Sequence, residues 1–225
     1  MIVVVGAGPG VSGSVARRFG HEGYDVALLG RDDDVLTELG TSLQASGVTA
    51  GWTVADVTDA EALTAAISRF AEHSGRIDAL HFNPSAYRAK DPLHLTVPEL
   101  LEDVALGVGG LLTAVQAARP HMGPGGRVTA TGSIAADRPS HQAASLGVQK
   151  AALRNLVHSL DATLRDDGIR AVSVTVTGVL APKDPASPLH PDKVAHAIHA
   201  AAHQDEAAWR SEVAYPSKED PVRAG

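Results

Sequence analysis

The stretch Gly6-Ala7-Gly8-Pro9-Gly10-Val11-Ser12-Gly13 is the first place in the chain where residue type and spacing imply chemistry. It follows a short apolar run, Ile2 to Val5, and opens a segment in which Val15, Arg18 and Phe19 fall at helical spacing. Glycines let a backbone turn sharply and approach a pyrophosphate, and free N–H groups at the start of a helix hold its charge. The frame Gly8-x-Gly10-x-x-Gly13 satisfies the general dinucleotide pattern. Its place at a strand-to-helix junction, at the head of the chain, separates it from an ordinary tight turn.

A loop of this kind needs a parallel sheet behind it, and the remaining sequence carries the pattern for one. Short β-branched runs alternate with longer amphipathic stretches. Strands are predicted at Ile2 to Val5, Tyr24 to Leu29, Thr49 to Ala55, Ile77 to Phe82, Gly126 to Thr131, Ile169 to Val176 and near Val213. Helices are predicted over Val11 to His21, Asp32 to Ala45, Asp59 to His73, Val97 to Arg119, Ala143 to Arg165 and Val194 to His203. Asp32, Asp33 and Asp34 sit where a helix N-terminus favours negative charge. Leu153, Leu156, Val157, Leu160 and Leu164 form one apolar stripe. No linker or repeat interrupts the alternation. The expectation is one dinucleotide-binding domain over 1–225: an α/β protein with a Rossmann-type, doubly wound parallel sheet of seven strands and helices on both faces.

Composition removes several other classes. The net charge is −7, from 26 acidic against 19 basic residues, with no dense Lys/Arg cluster, so no nucleic-acid partner is expected. The absence of cysteine excludes disulfides, thiolate metal sites and cysteine nucleophiles, and no metal site is expected. Met1 runs straight into Ile2-Val3-Val4-Val5 without the charged start of a signal peptide. No apolar stretch reads as a bilayer span. A cytoplasmic location with no membrane partner is the expectation.

The glycine run, with Ala16 closing the first turn of helix, resembles the Thr-Gly-x-x-x-Gly-x-Gly loop of the short-chain dehydrogenase/reductase family. Val5 stands in the threonine's place and Ser12 in that of the last glycine. Asp56-Val57 at the end of the third strand resembles the family's Asp-Val pair that contacts adenine. Asn83-Pro84-Ser85 stands where the family has Asn-Ala-Gly. Ser133 ends the fifth strand in the position of the catalytic serine, and Lys150 lies where the catalytic lysine belongs. The resemblance implies that Gly6, Gly8, Pro9, Gly10 and Val11 hold the phosphates. It adds Asp56, Val57, Asn83, Pro84, Lys150 and Gly178 to the cofactor site, with Ser133 and Lys150 catalytic. Taken singly, Asp56 also reads as a helix cap, Asn83 as a turn former and Lys150 as part of a solvated helix face.

The family pattern breaks at three places. Its tyrosine precedes the lysine by one helical turn, and here that position is Leu146. No tyrosine lies between Tyr87 and Tyr215. Gly107 occupies the family's asparagine position, and Pro182 that of a threonine beyond the sixth strand. Hydride delivery to a carbonyl leaves an alkoxide that needs a proton from a poised group. Leucine has none to give, and losing a general acid costs roughly 10²–10⁴-fold in rate. His141, just before the long helix, and Tyr87, in the loop after the fourth strand, are the candidate replacements. His81 and His94 flank that loop, although His81 within a strand reads as core or interface.

Family members that prefer NAD(H) carry an acidic residue at the end of the second strand. Here Gly30 stands there and Arg31 follows, which suits a 2′-phosphate and favours NADP(H) over NAD(H). Against this, Asp32 to Asp34 crowd the same loop, and Arg31 also reads as paired to one of them. The resulting expectation is an NADP(H)-dependent oxidoreductase with a modified site, acting on a small carbonyl or alcohol. The alternative is a non-redox protein of this fold: a cyclase, dehydratase or isomerase, or a binding or assembly subunit. By resemblance, a homodimer or homotetramer forms through the two long helices, whose Gly109, Gly110, Ala114, Ala117 and Ala118 suit close approach. Pro182 to Pro191 takes the place of the family's substrate lid.

Overall fold

The seven runs predicted as strands become seven strands: β1 (Ile2–Val5), β2 (Val26–Gly30), β3 (Ala50–Val54), β4 (Ala79–Phe82), β5 (Arg127–Ser133), β6 (Arg170–Val176) and β7 (Glu212–Tyr215). In this computed structural model, which describes residues 1–217, they pair in parallel throughout in the order β3-β2-β1-β4-β5-β6-β7. Residues 218–225 of the expected domain lie outside the described ones. The strand order reverses at β1, which has β2 on one side and β4 on the other. The crevice beyond their carboxyl ends is where open α/β sheets of this kind take ligands.

The helices are α1 (Val11–His21), α2 (Asp33–Ala45), α3 (Ala60–Ser74), α4 (Val97–Val104), α5 (Gly110–Ala118), α6 (Ala144–Leu164) and α7 (Pro191–Ala202). Strand alternation sorts them into two layers. Val3 and Val5 join Leu63, Leu111 and Leu153 in one core, while Ile2 and Val4 join Val15, Leu36 and Val194 in the other. Helix starts are set by side chains: Asp32 accepts from Val35 N at 3.1 Å and Asp59 from Ala62 N at 3.0 Å. Thr96 and Glu99 form a capping box on α4. The start of α1 at Gly10 has no side-chain cap.

Two expectations are corrected here. The helical run Val97–His121 spans 25 residues and is, by length and composition, long and apolar enough to cross a membrane. Its apolarity has another use, because Leu111, Ala114, Val115 and Ala118 are buried in the core beneath the sheet. The run is not uniform: α4 and α5 are joined by a π-helical turn, Ala105–Gly109. The second correction concerns the small residues meant for subunit contact. Ala114, Ala117 and Ala118 face the core, and Gly110 abuts Val57, where an added Cβ would lie 3.0 Å from the valine Cβ. Only Gly109 of that set is exposed.

Candidate functional site

The glycine loop closes over the crevice beside β1. Gly6 adopts a positive φ of 75°, and a Cβ there would lie 2.7 Å from Pro84 Cγ. The loop after β1 and the loop after β4 are therefore packed directly on one another. A Cβ at Gly13 would sit 2.4 Å from the Gly8 carbonyl oxygen, so the loop can fold back over α1 only with glycine there. Gly8 and Gly10 differ: a Cβ on either meets nothing within 4 Å. Ser12, in the place of a glycine, is buried with its hydroxyl 3.5 Å from the Gly8 carbonyl oxygen.

Beyond this loop lies a cavity of about 250 Å³ lined by residues from several elements near the switch point. Val11 comes from α1, Asn83 and Ser85 from the loop after β4, and Thr131, Gly132 and Ser133 from the end of β5. Leu146 and Lys150 come from α6, and Val176, Gly178 and Leu180 from the end of β6 and beyond. Gly147 lets α6 lie close against the turn after Ser133, since a Cβ there would be 3.0 Å from the Ala135 carbonyl oxygen. Leu146 and Lys150, one turn apart, thus face the same space as Ser133.

Lys150 is not on a solvated helix face. It is 5% exposed and donates from Nζ to the Thr131 carbonyl oxygen at 2.8 Å, and burial pulls its ammonium down to about 8. Ser133 Oγ accepts from Ala135 N at 3.2 Å, which leaves its proton for another acceptor. Asn83 Oδ1 accepts from the Thr131 hydroxyl at 2.7 Å. Behind this pair His81 lies fully buried, with Nδ1 2.9 Å from Thr129 Oγ1 and Nε2 3.4 Å from Thr131 Oγ1. Burial and the nearby Lys150 charge push its pKa down to about 3, so it stays neutral.

The other sequence-predicted residues lie farther out. Asp56 does not cap α3: its Oδ1 accepts from Thr58 N at 2.9 Å and Thr58 Oγ1 at 2.7 Å, and these bonds lower its pKa. Arg31 is exposed and, among the described residues, has no ion pair with Asp32, Asp33 or Asp34. Neither candidate replacement, His141 or Tyr87, lines the cavity, nor do His81 and His94. His141 borders a separate groove of about 590 Å³ between the starts of α4 and α6, Tyr87 is 73% exposed, and His94 pairs with Asp91 at 2.7 Å. His81 is sealed in the sheet. The Pro-rich segment folds back on the strand end, with Leu189 Cδ1 2.7 Å from where a Gly178 Cβ would be and Ala181 N bonded to the Leu189 carbonyl.

Ser85, Thr131, Gly132, Val176 and Leu180 line the cavity as well, although the sequence pattern does not mark them as site residues. Thr131 was within reach, because it precedes Ser133 by one strand period and so shares its face.

Residues 1–187 match the family model described as short chain dehydrogenase. Among curated proteins, the chain is 31% identical over 172 residues to "Oxidoreductase asL5" of Sarocladium schorii, covering 75% of this chain and 67% of that protein. It is 30% identical over 177 residues to "A-factor type gamma-butyrolactone 1'-reductase (1S-forming)" of Streptomyces virginiae, covering 76% and 68%. Among solved structures, a short chain dehydrogenase from Burkholderia cenocepacia J2315 in complex with NADP superimposes with a TM-score of 0.86. That likeness runs at 25% identity over 95% of this chain and 94% of the other.

Proposed function

The chain belongs to the short chain dehydrogenase family, and from that premise we propose that it is an NADP(H)-binding oxidoreductase with a modified active site. Its substrate in this reading is a small carbonyl compound or alcohol. The observation that carries the reading is the meeting of Val11, Asn83, Ser133, Lys150 and Gly178 around one cavity at the switch point of the sheet.

The residues present fit a dinucleotide. The uncapped start of α1 and the open faces of Gly8 and Gly10 suit a pyrophosphate, with Gly6, Pro9 and Val11 completing the cradle. Gly30 abuts the loop, a Cβ there lying 3.0 Å from the Ala7 carbonyl oxygen, which disfavours an acidic side chain at that point. Arg31 beside it, exposed and near enough to Asp56 to help lower that carboxylate's pKa, suits a 2′-phosphate and so NADP(H) over NAD(H). Asp56 and Val57 take the adenine end, and the Asp56 carboxylate accepts from Thr58 through Oδ1. Asn83, Pro84, Lys150 and Gly178 take the nicotinamide half. The NADP complex of the Burkholderia relative supports this choice.

A bound nicotinamide would supply or accept the hydride; Lys150 would hold its ribose, and Ser133, whose proton is not used within the protein's Ala135 contact, would donate to the substrate oxygen. Leu146 stands where the family's tyrosine would be, and Gly107 where its asparagine would be. Lys150 is the one residue with an ionisable charge among those lining the cavity. That observation favours a second reading, a non-redox protein of the same fold that binds a small polar molecule. We further propose a homodimer or homotetramer assembled on the exposed apolar side chains Val97, Leu101, Leu112 and Val148 of the long helices. We read the whole of 1–225 as one domain, on its length and unbroken alternation of strands and helices, and propose a cytoplasmic location. Calorimetric titration with NADPH and NADH, followed by turnover with a panel of carbonyl compounds, tests the reading and separates it from the second.

A further inference from the structure

Helix α6 buries two polar side chains at consecutive positions, and only one of them faces the cavity. Lys150 reaches Thr131. Gln149, also fully buried, reaches the other way, to the loop after β4. Its Oε1 accepts from Ala86 N at 3.0 Å and from Ser85 Oγ at 3.4 Å, while its Nε2 donates to the Ala86 carbonyl at 2.9 Å. One carboxamide therefore satisfies both backbone groups of Ala86, a two-point clamp from helix to loop.

The clamp needs a missing side chain opposite. A Cβ at Gly107 would lie 2.4 Å from Gln149 Oε1 and 3.2 Å from its Cδ. Gly107 sits in the π-helical turn, where the backbone approaches α6, so its lack of a side chain is the space that the carboxamide fills. The clamped segment matters to the cavity at three points. Asn83 accepts from Thr131, Pro84 packs on Gly6, and Ser85 lines the wall.

We propose that Gln149 is a positioning residue, with Gly107 as its steric partner: its carboxamide fixes the Asn83–Ala86 loop against the glycine loop and so sets the affinity for the nicotinamide nucleotide. This rests on the nucleotide-binding reading above. The test compares Gln149→Ala, Gln149→Leu, Gly107→Ala and the Gly107→Ala/Gln149→Ala pair with the unaltered protein. Amide hydrogen exchange at Ala86 is measured without nucleotide, and NADPH affinity by calorimetry. Leucine keeps the packing volume and removes the hydrogen bonds, which separates the clamp from simple filling. The expected result is loss of Ala86 protection in all four variants. NADPH affinity falls by about tenfold, the scale of one buried hydrogen-bond group. The paired variant is no worse than either single change, because an alanine at 107 fits once the carboxamide is gone. Unchanged Ala86 protection in Gln149→Leu, or additive effects in the pair, overturns the proposal. If the unaltered protein binds no NADPH, the nucleotide reading fails and the affinity half of the proposal with it, while exchange at Ala86 still decides the clamp.

Discussion

Lys150 Nζ donates to the carbonyl oxygen of Thr131 at 2.8 Å, bridging α6 and β5 one strand period before Ser133. That contact brings an ammonium into the sheet's crevice with no carboxylate ion-paired to it among the described residues. A buried cation without a carboxylate partner is costly to a fold, and its presence beside a cavity at the switch point marks a candidate ligand site.

The first prediction follows from that cost. Lys150 titrates near 10.5 unfolded and about 8 folded, so the penalty is full below pH 8 and fades as pH rises toward 10.5. Lys150→Met is therefore expected to raise the thermal midpoint by a few degrees at pH 7, with the gain shrinking toward pH 10. The same variant should weaken NADPH binding at least tenfold. A midpoint that falls equally at both pH values would mean that the Thr131 bond outweighs the buried charge.

His81 gives a pH dependence of its own, at the acid end. It stays neutral when folded, with a pKa near 3 against 6.5 for the free side chain, so the unfolded chain gains the proton first. Stability from this group is present above 6.5 and is lost as pH falls, by about 1–2 kcal/mol between pH 6.5 and 5. Denaturant melts of His81→Gln should be flatter with pH over that window than those of the unaltered protein.

The glycines of the loop divide by function. Gly13→Ala forces a Cβ against the Gly8 carbonyl and is expected to destabilise the fold by about 1–3 kcal/mol. Gly8→Ala and Gly10→Ala meet no protein atom within 4 Å and should melt nearly as the unaltered protein does, yet lose NADPH affinity. Paired melting and calorimetric measurements decide it: equal loss of affinity without loss of stability at Gly13 would contradict the division.

Much of this was legible in the sequence, and the reasons differ by element. The central strands announce themselves because both faces of a parallel sheet are buried there, so they read as continuous apolar runs, whereas the edge strands β3 and β7 are less buried and read more faintly. Ser133, Leu146 and Lys150 fall together because strand and helix periods fix their faces. Gln149 shares the inward face of α6 with Ser145, Leu153 and Val157, but an amide within a helix looks like a solvated position, and the space that Gly107 leaves for it is not visible in the sequence. The direction of Ala114, Ala117 and Ala118 was misread for a related reason. Small residues suit contact between subunits and contact with α3 equally well, and composition does not say which side of a helix is already covered.

Position 146 tests whether the rest of the site is ready for redox chemistry. Leu146 lines the cavity with Ser133 and Lys150, so Leu146→Tyr places a phenol beside an ammonium that lowers its pKa. Turnover of carbonyl substrates with NADPH is expected to rise roughly 10²–10⁴-fold, the usual contribution of a positioned general acid. No gain, in a variant that still binds NADPH, would favour the non-redox reading.

The most direct test of the central claim is calorimetric titration of the protein with NADPH and NADH, after confirming that no nucleotide co-purified. Saturable one-site binding of NADPH is expected, tighter than that of NADH, with the preference lost in Arg31→Ala and both affinities weakened in Lys150→Met. No binding of either nucleotide would contradict it and leave the cavity to a ligand of another class.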